Sequence, residues 1–168
     1  NIFSKFYCIQ FHASHLPYGR GGSPIQNLIL RGFKKTKISA FVIKNKKLDS
    51  GPILLQKNFV LSGKGNQIYQ RLEKTCLKMV SEISKKTTLL EKKQKGKTYY
   101  FKRRKPKASN LNKNNFKDIN QVYDFIRMLD AEGYPSAFVN SKNLNIKFKN
   151  AKLNKNILKA DVEIELYK

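Results

Sequence analysis

The sequence predicts an α/β protein, a sheet with helices on its faces and a small α+β extension at the carboxyl end, and three observations carry that prediction. A short apolar run at residues 7–11 leads into a glycine-rich loop and then a helix start. In α/β sheets that junction, at the carboxyl end of a strand, is where ligands bind. Residues 37–43 are apolar almost without alternation, as expected for a strand covered on both faces in a mostly parallel sheet. Ile68, Leu72, Cys76, Met79, Val80 and Ile83, flanked by Tyr69 and Leu77, recur in steps of three and four, so one stripe of a helix faces the sheet.

Each element has its own local signal. Residues 7–11 form a short buried strand. Ser23 is placed to cap the next helix, Pro24 needs no amide hydrogen at its first position, and Gln26 completes a capping box. Gly32 fits the left-handed position that ends that helix. Charged residues 44–47 break the strand at 37–43, and a further strand spans residues 52–61. The helix with the apolar stripe follows, then a polar run and a short strand at residues 97–101. From Pro106 to Lys117 the composition turns to Asn, Lys and Ser, which marks a linker or surface loop. Asp118 and Gln121 suggest a second capping box, and Ile119, Val122, Tyr123, Ile126 and Leu129 a helix stopped by Gly133 and Pro135. Short strands at 137–139, 144–148 and 161–167 complete a small β unit.

The run from His12 to Gln26, HASHLPYGRGGSPIQ, resembles the signature of folate-dependent formyltransferases, which reads Asn-x-His-x-Ser-x-Leu-Pro and then Arg-Gly-x-x-Pro. A second family element is matched by Leu48, Asp49, Ser50 and Gly51, and the likeness extends over residues 8–138. It implies the carboxyl-terminal part of a Rossmann-like nucleotide-fold sheet. Residues 1–106 are then a partial catalytic domain whose upstream half is expected outside this chain, with the extension at 107–168. The implied activity is formyl transfer from formyltetrahydrofolate to a primary amine. The wording of the glycine loop and of residues 102–106 and 126–135 favours a nucleotide-linked amino sugar as acceptor, with methionyl-tRNA as the alternative.

That chemistry needs a group to move the amine's proton and a donor for the developing oxyanion. His12 at a strand end suits the first role, with Asp49 to orient its imidazole. Gln10 stands where the family has its asparagine, either as the oxyanion donor on a longer stem or as an ordinary strand residue. The resemblance sets Ser14, Leu16, Pro17, Arg20, Gly21 and Gly22 beside the folate pocket, where the loop either meets anionic groups or simply makes a tight turn. His15 is read as surface or ligand-lining. Arg103, Arg104, Arg127 and Tyr134 are explained as well by salt bridges and packing as by function. No metal site is expected.

The 168 residues carry 35 Lys+Arg against 11 Asp+Glu, a net charge of +24. Such a balance is the electrostatic footprint of a nucleic-acid binder and keeps tRNA among the partners; a noncatalytic basic RNA-binding fragment is the competing class. Lysine outnumbers arginine and the excess is spread along the chain, which favours compositional bias and ranks a small-molecule amine ahead of tRNA. Cys8 and Cys76 lack metal or redox spacing and read as buried free thiols in a cytoplasmic protein. No membrane span is present in the sequence. The 168 residues by themselves are expected not to turn over.

Overall fold

The computed structural model describes residues 2–166. Its main sheet holds β1 (Ile9–His12), β3 (Lys35–Val42) and β4 (Ile53–Val60) in the order β1-β3-β4. Both pairings are antiparallel, with His12 opposite Ser39 and Lys35 opposite Val60. The expectation of a mostly parallel sheet is thus corrected here. Ten residues join β3 to β4, too few for a parallel crossover. The unbroken apolar run in β3 has another cause. As the central strand, β3 buries Ile38 and Ala40 in the main core on one side, and Phe41 against Leu16 and Ile53 on the other.

Parallel pairing occurs between β2 (Tyr18–Gly21) and β5 (Tyr99–Phe101), so the expected glycine loop is itself a short strand. A Cβ on Gly21 would lie 2.4 Å from the carbonyl oxygen of Phe101, so glycine there permits the close approach of β5.

Helix α1 (Pro24–Leu30) starts without the expected capping box. Ser23 is left-handed, with φ of 50°, and its Oγ accepts from the Arg104 amide at 3.1 Å; Gln26 donates instead to the Tyr69 hydroxyl at 2.9 Å. Tertiary partners outcompete the local cap. The other end is as expected, since Gly32 and Phe33 donate their amides to Ile29 and Leu28 in the paired bonds of a Schellman close. Helix α2 (Gly65–Ser84) buries Ile68, Met79 and Ile83, while Val80 falls outside the stripe at 48% exposure. Helix α3 (Ile119–Leu129) is capped by Asp118, whose side chain accepts from the Gln121 amide at 3.0 Å. Gln121 bonds back to the Lys117 amide, one residue earlier than a strict capping box.

Residues 106–117 are not a loose linker, because short 3-10 turns at Pro106–Ser109 and Leu111–Lys113 bury Ser109 and Asn110. The extension is an antiparallel meander of β6 (Ala137–Ser141), β7 (Leu144–Asn154) and β8 (Ile157–Leu166), longer than expected in each strand; Tyr167 lies outside the described residues. Leu28 and Ile29 of α1, Met79 of α2, Phe125 and Met128 of α3 and Ala151 of β7 share one buried cluster. α3 therefore fastens the meander to the main sheet. Among the described residues no helix is long and apolar enough to cross a membrane. Cys8 and Cys76 are both free and half-buried, and burial pushes the Cys76 thiol up.

Candidate active site

β1 delivers His12 to the end of the main sheet, where its side chain is 7% exposed. The Nε2 atom lies 2.7 Å from the carbonyl oxygen of Gly19 in β2. A carbonyl only accepts, so Nε2 carries a proton and Nδ1 is the nitrogen left to exchange one. Nδ1 faces Asp49 Oδ2 at 3.7 Å. That is too long for a hydrogen bond and well within Coulombic reach. The two residues that the separated motifs singled out are therefore brought together, from the end of β1 and from the turn between β3 and β4.

Asp49 is itself held in place. Its Oδ2 accepts from the Gly21 amide at 2.7 Å, and its backbone is left-handed, with φ of 49°. Aspartate tolerates that conformation better than most residues. Gln10 sits two residues before His12 on the same face of β1, is exposed, and has no side-chain hydrogen bond among the described residues. Its amide is free to meet a bound group.

The six loop residues are mostly turned inward. Ser14 is fully buried, donating its hydroxyl to Gly19 at 3.2 Å, and Leu16 packs with Phe41 and Ile53. Pro17 follows a cis peptide bond and is buried. Arg20, 7% exposed, gives its guanidinium to Gln94 Oε1 at 2.7 Å and to the Tyr100 hydroxyl at 3.3 Å. Gly21 binds Asp49, and Gly22 donates to Phe101 at 3.0 Å. His15 is exposed.

The fold also gathers here residues that the sequence left without a role or explained by capping, packing or salt bridges. Gln94 lies in a charged run with no periodic signal, yet it bonds to Arg20 and to the backbone around Asp49. Gln26, Tyr69 and Tyr134 line a cleft of about 320 Å³ beside β1, together with Phe11, His12 and Arg103. Burial raises the Tyr69 hydroxyl pKa. Arg103 also lines a groove of about 520 Å³ with Lys102, Arg104, Lys105, Lys107 and Lys113. Arg104 is half-buried there, with its Nε unpartnered among the described residues and its pKa lowered by desolvation. Arg127 is placed elsewhere, in a buried ion pair with Asp124 at 2.7 Å.

The chain has relatives among known proteins. Residues 106–165 match the family model described as methionyl-tRNA formyltransferase, C-terminal domain. The chain is 41% identical to the solved methionyl-tRNA formyltransferase from Clostridium thermocellum, covering 98% of this chain and 71% of that one with a TM-score of 0.92. A methionyl-tRNA formyltransferase from Wolbachia pipientis subsp. Culex pipiens is 40% identical over 91 residues, which are 51% of this chain and 30% of that protein. The chain thus spans about a third of that curated relative. A sugar N-formyltransferase from Shewanella sp. shares the fold, with a TM-score of 0.67 at 20% identity over 83% of this chain and 58% of that one.

Proposed function

The chain belongs to the formyltransferase family, and from that premise we propose that the protein transfers a formyl group from formyltetrahydrofolate to the amine of methionyl-tRNA. The observation that carries this reading is the buried His12 with Nδ1 facing Asp49. A basic fragment that merely bound RNA would have no use for such a pair. The donor supplies an activated formyl carbon. His12 takes the amine's proton at Nδ1, where the resulting imidazolium forms beside the Asp49 carboxylate and is stabilised by it. Gly19 holds Nε2 so that the ring cannot turn away. Gln10, unbonded on the same strand face, donates its side-chain amide to the oxygen that gains charge. The proton is returned from Nδ1 to the departing nitrogen of the donor. Residues 14–22 frame the donor pocket, since Ser14, Leu16, Pro17 and Arg20 are packed or bonded internally. Residues 1–106 provide the chemistry and 107–168 a carboxyl-terminal unit sharing its core.

As acceptor, methionyl-tRNA replaces the sugar amine that the loop wording favours. Relatives at 40% identity and above carry that name, whereas the sugar enzyme shares only the fold. Six cations around one groove adjoining the His12 cleft at Arg103 also suit a phosphate backbone. The test is a direct competition, in which the full-length protein is given formyltetrahydrofolate with either methionyl-tRNA or a nucleotide-linked amino sugar. We expect kcat/KM for the tRNA to be higher by about 100-fold or more, the scale on which a site discriminates through groups only one substrate satisfies. The reverse order would overturn the acceptor, and transfer to neither would overturn the activity.

A further inference from the structure

Three consecutive residues of β2 hold the proposed acid/base pair. The carbonyl of Gly19 bonds His12 Nε2, the amide of Gly21 bonds Asp49 Oδ2, and the side chain of Arg20 between them reaches Gln94. Gln94 is half-buried among exposed neighbours, and every hydrogen-bonding position of its amide is used. Its Oε1 accepts from Arg20 Nε at 3.2 Å and Nη2 at 2.7 Å, while its Nε2 donates to the carbonyls of Asp49 at 2.9 Å and Gly51 at 2.8 Å.

From this arrangement we propose that Gln94 is a positioning residue for the reaction, fixing the Asp49 carboxylate against the His12 imidazole by clamping the turn at residues 49–51 to β2. The proposal rests on the reading of His12 and Asp49 as the acid/base pair. The turn belongs to neither flanking strand, and Asp49 holds a left-handed conformation within it. Without Gln94 the turn would keep the Gly21 bond to the carboxylate and the Ser50 bonds to Asn45 and Lys47, but it would lose both bonds that draw the Asp49 and Gly51 carbonyls toward the Arg20 side chain of β2. The Nδ1 to Oδ2 separation of 3.7 Å is within Coulombic reach, and a displaced turn would lengthen it, re-aim the carboxylate and weaken its hold on the imidazolium. Misplacement of a reacting group by about 1 Å can cost on the order of 100-fold in rate. Arg20 gains a role as well, as the cation that orients the Gln94 amide so that its NH2 points to the turn.

The test uses the full-length protein and two substitutions. Gln94→Leu removes all four bonds, and Gln94→Glu keeps the acceptor toward Arg20 while losing both donated bonds. The exposed His15 serves as internal control when the imidazole nitrogens of His12 and His15 are followed by 15N NMR. In both variants the His12 resonances should move while those of His15 stay. kcat should fall by about 100-fold with KM for either substrate unchanged, and the loss should persist well below the melting temperature. A merely structural strut would instead lose activity in step with thermal stability. Unmoved His12 resonances, or near-normal kcat in Gln94→Glu, would overturn the proposal. If Gln94→Leu does not fold, Gln94→Glu decides alone. Wild-type turnover in His12→Asn would refute the acid/base reading itself, a result separate from either Gln94 outcome.

Discussion

At the scale of single residues, Asp49 can be altered without disturbing what holds it. Asparagine tolerates a left-handed backbone as well as aspartate does, and its side-chain oxygen can still accept from Gly21. Asp49→Asn should therefore melt close to the wild type yet lose kcat by about 100-fold or more, because only the charge that stabilises the imidazolium is gone. His12→Asn should show the same pattern, checked by steady-state kinetics alongside thermal melts. Gly51 tests the opposite kind of dependence. A Cβ there would sit 1.6 Å from the carbonyl oxygen of Val42, a backbone atom that cannot step aside. Gly51→Ala is expected to destabilise the protein by about 3 kcal/mol or more, read by chemical denaturation, since the turn carrying Asp49 must shift as a whole.

Between elements, a buried joint fastens α3 to the segment that follows β4. Arg127, 3% exposed, donates Nε to Asp124 at 2.7 Å and Nη1 to the carbonyls of Leu61 at 2.8 Å and Gly63 at 2.6 Å. Arg127→Leu strands a buried carboxylate and two carbonyls, so unfolding free energy should drop by about 3–5 kcal/mol in urea titration; a loss within error would mean that Lys34 alone satisfies Asp124. Elements whose signals are local were legible in the sequence. The stripe of α2, the Asp118 cap and the Gly32 close depend on neighbours a few residues away. Signals that compete with distant partners were not. Ser23 is taken by Arg104 and Gln26 by Tyr69, which no spacing announces. The direction of β3 was misread because burial on both faces looks the same whether its neighbours are parallel or antiparallel. His12 and Asp49 were legible as two separated motifs, whereas Gln94, in a run of lysines, acquires meaning only when the chain folds back on β2.

For the whole molecule, the net charge of +24 acts in opposite directions on two kinds of association, and one salt titration separates them. Binding of tRNA through the groove of Lys102, Arg103, Arg104, Lys105, Lys107 and Lys113 releases counterions; if all six cations contact phosphates, affinity should fall on the order of 10³-fold between about 50 and 200 mM salt. Self-association should do the reverse. The outer edge of β1 has no partner strand among the described residues, and β8 exposes Val162, Ile164 and Leu166 on one face. An open strand edge and an apolar face both favour contact between copies of these 168 residues, while like charge holds the copies apart. Raising salt from about 0.1 M to 1 M shortens the screening length from roughly 10 Å to 3 Å, which removes the repulsion and leaves the contacts. Sedimentation velocity of the 168-residue chain should therefore show larger species as salt rises, over the range in which tRNA retention on a filter declines. A sedimentation coefficient that stays constant would show the edge and the β8 face to be protected, and tRNA retention insensitive to salt would remove the groove from the acceptor site.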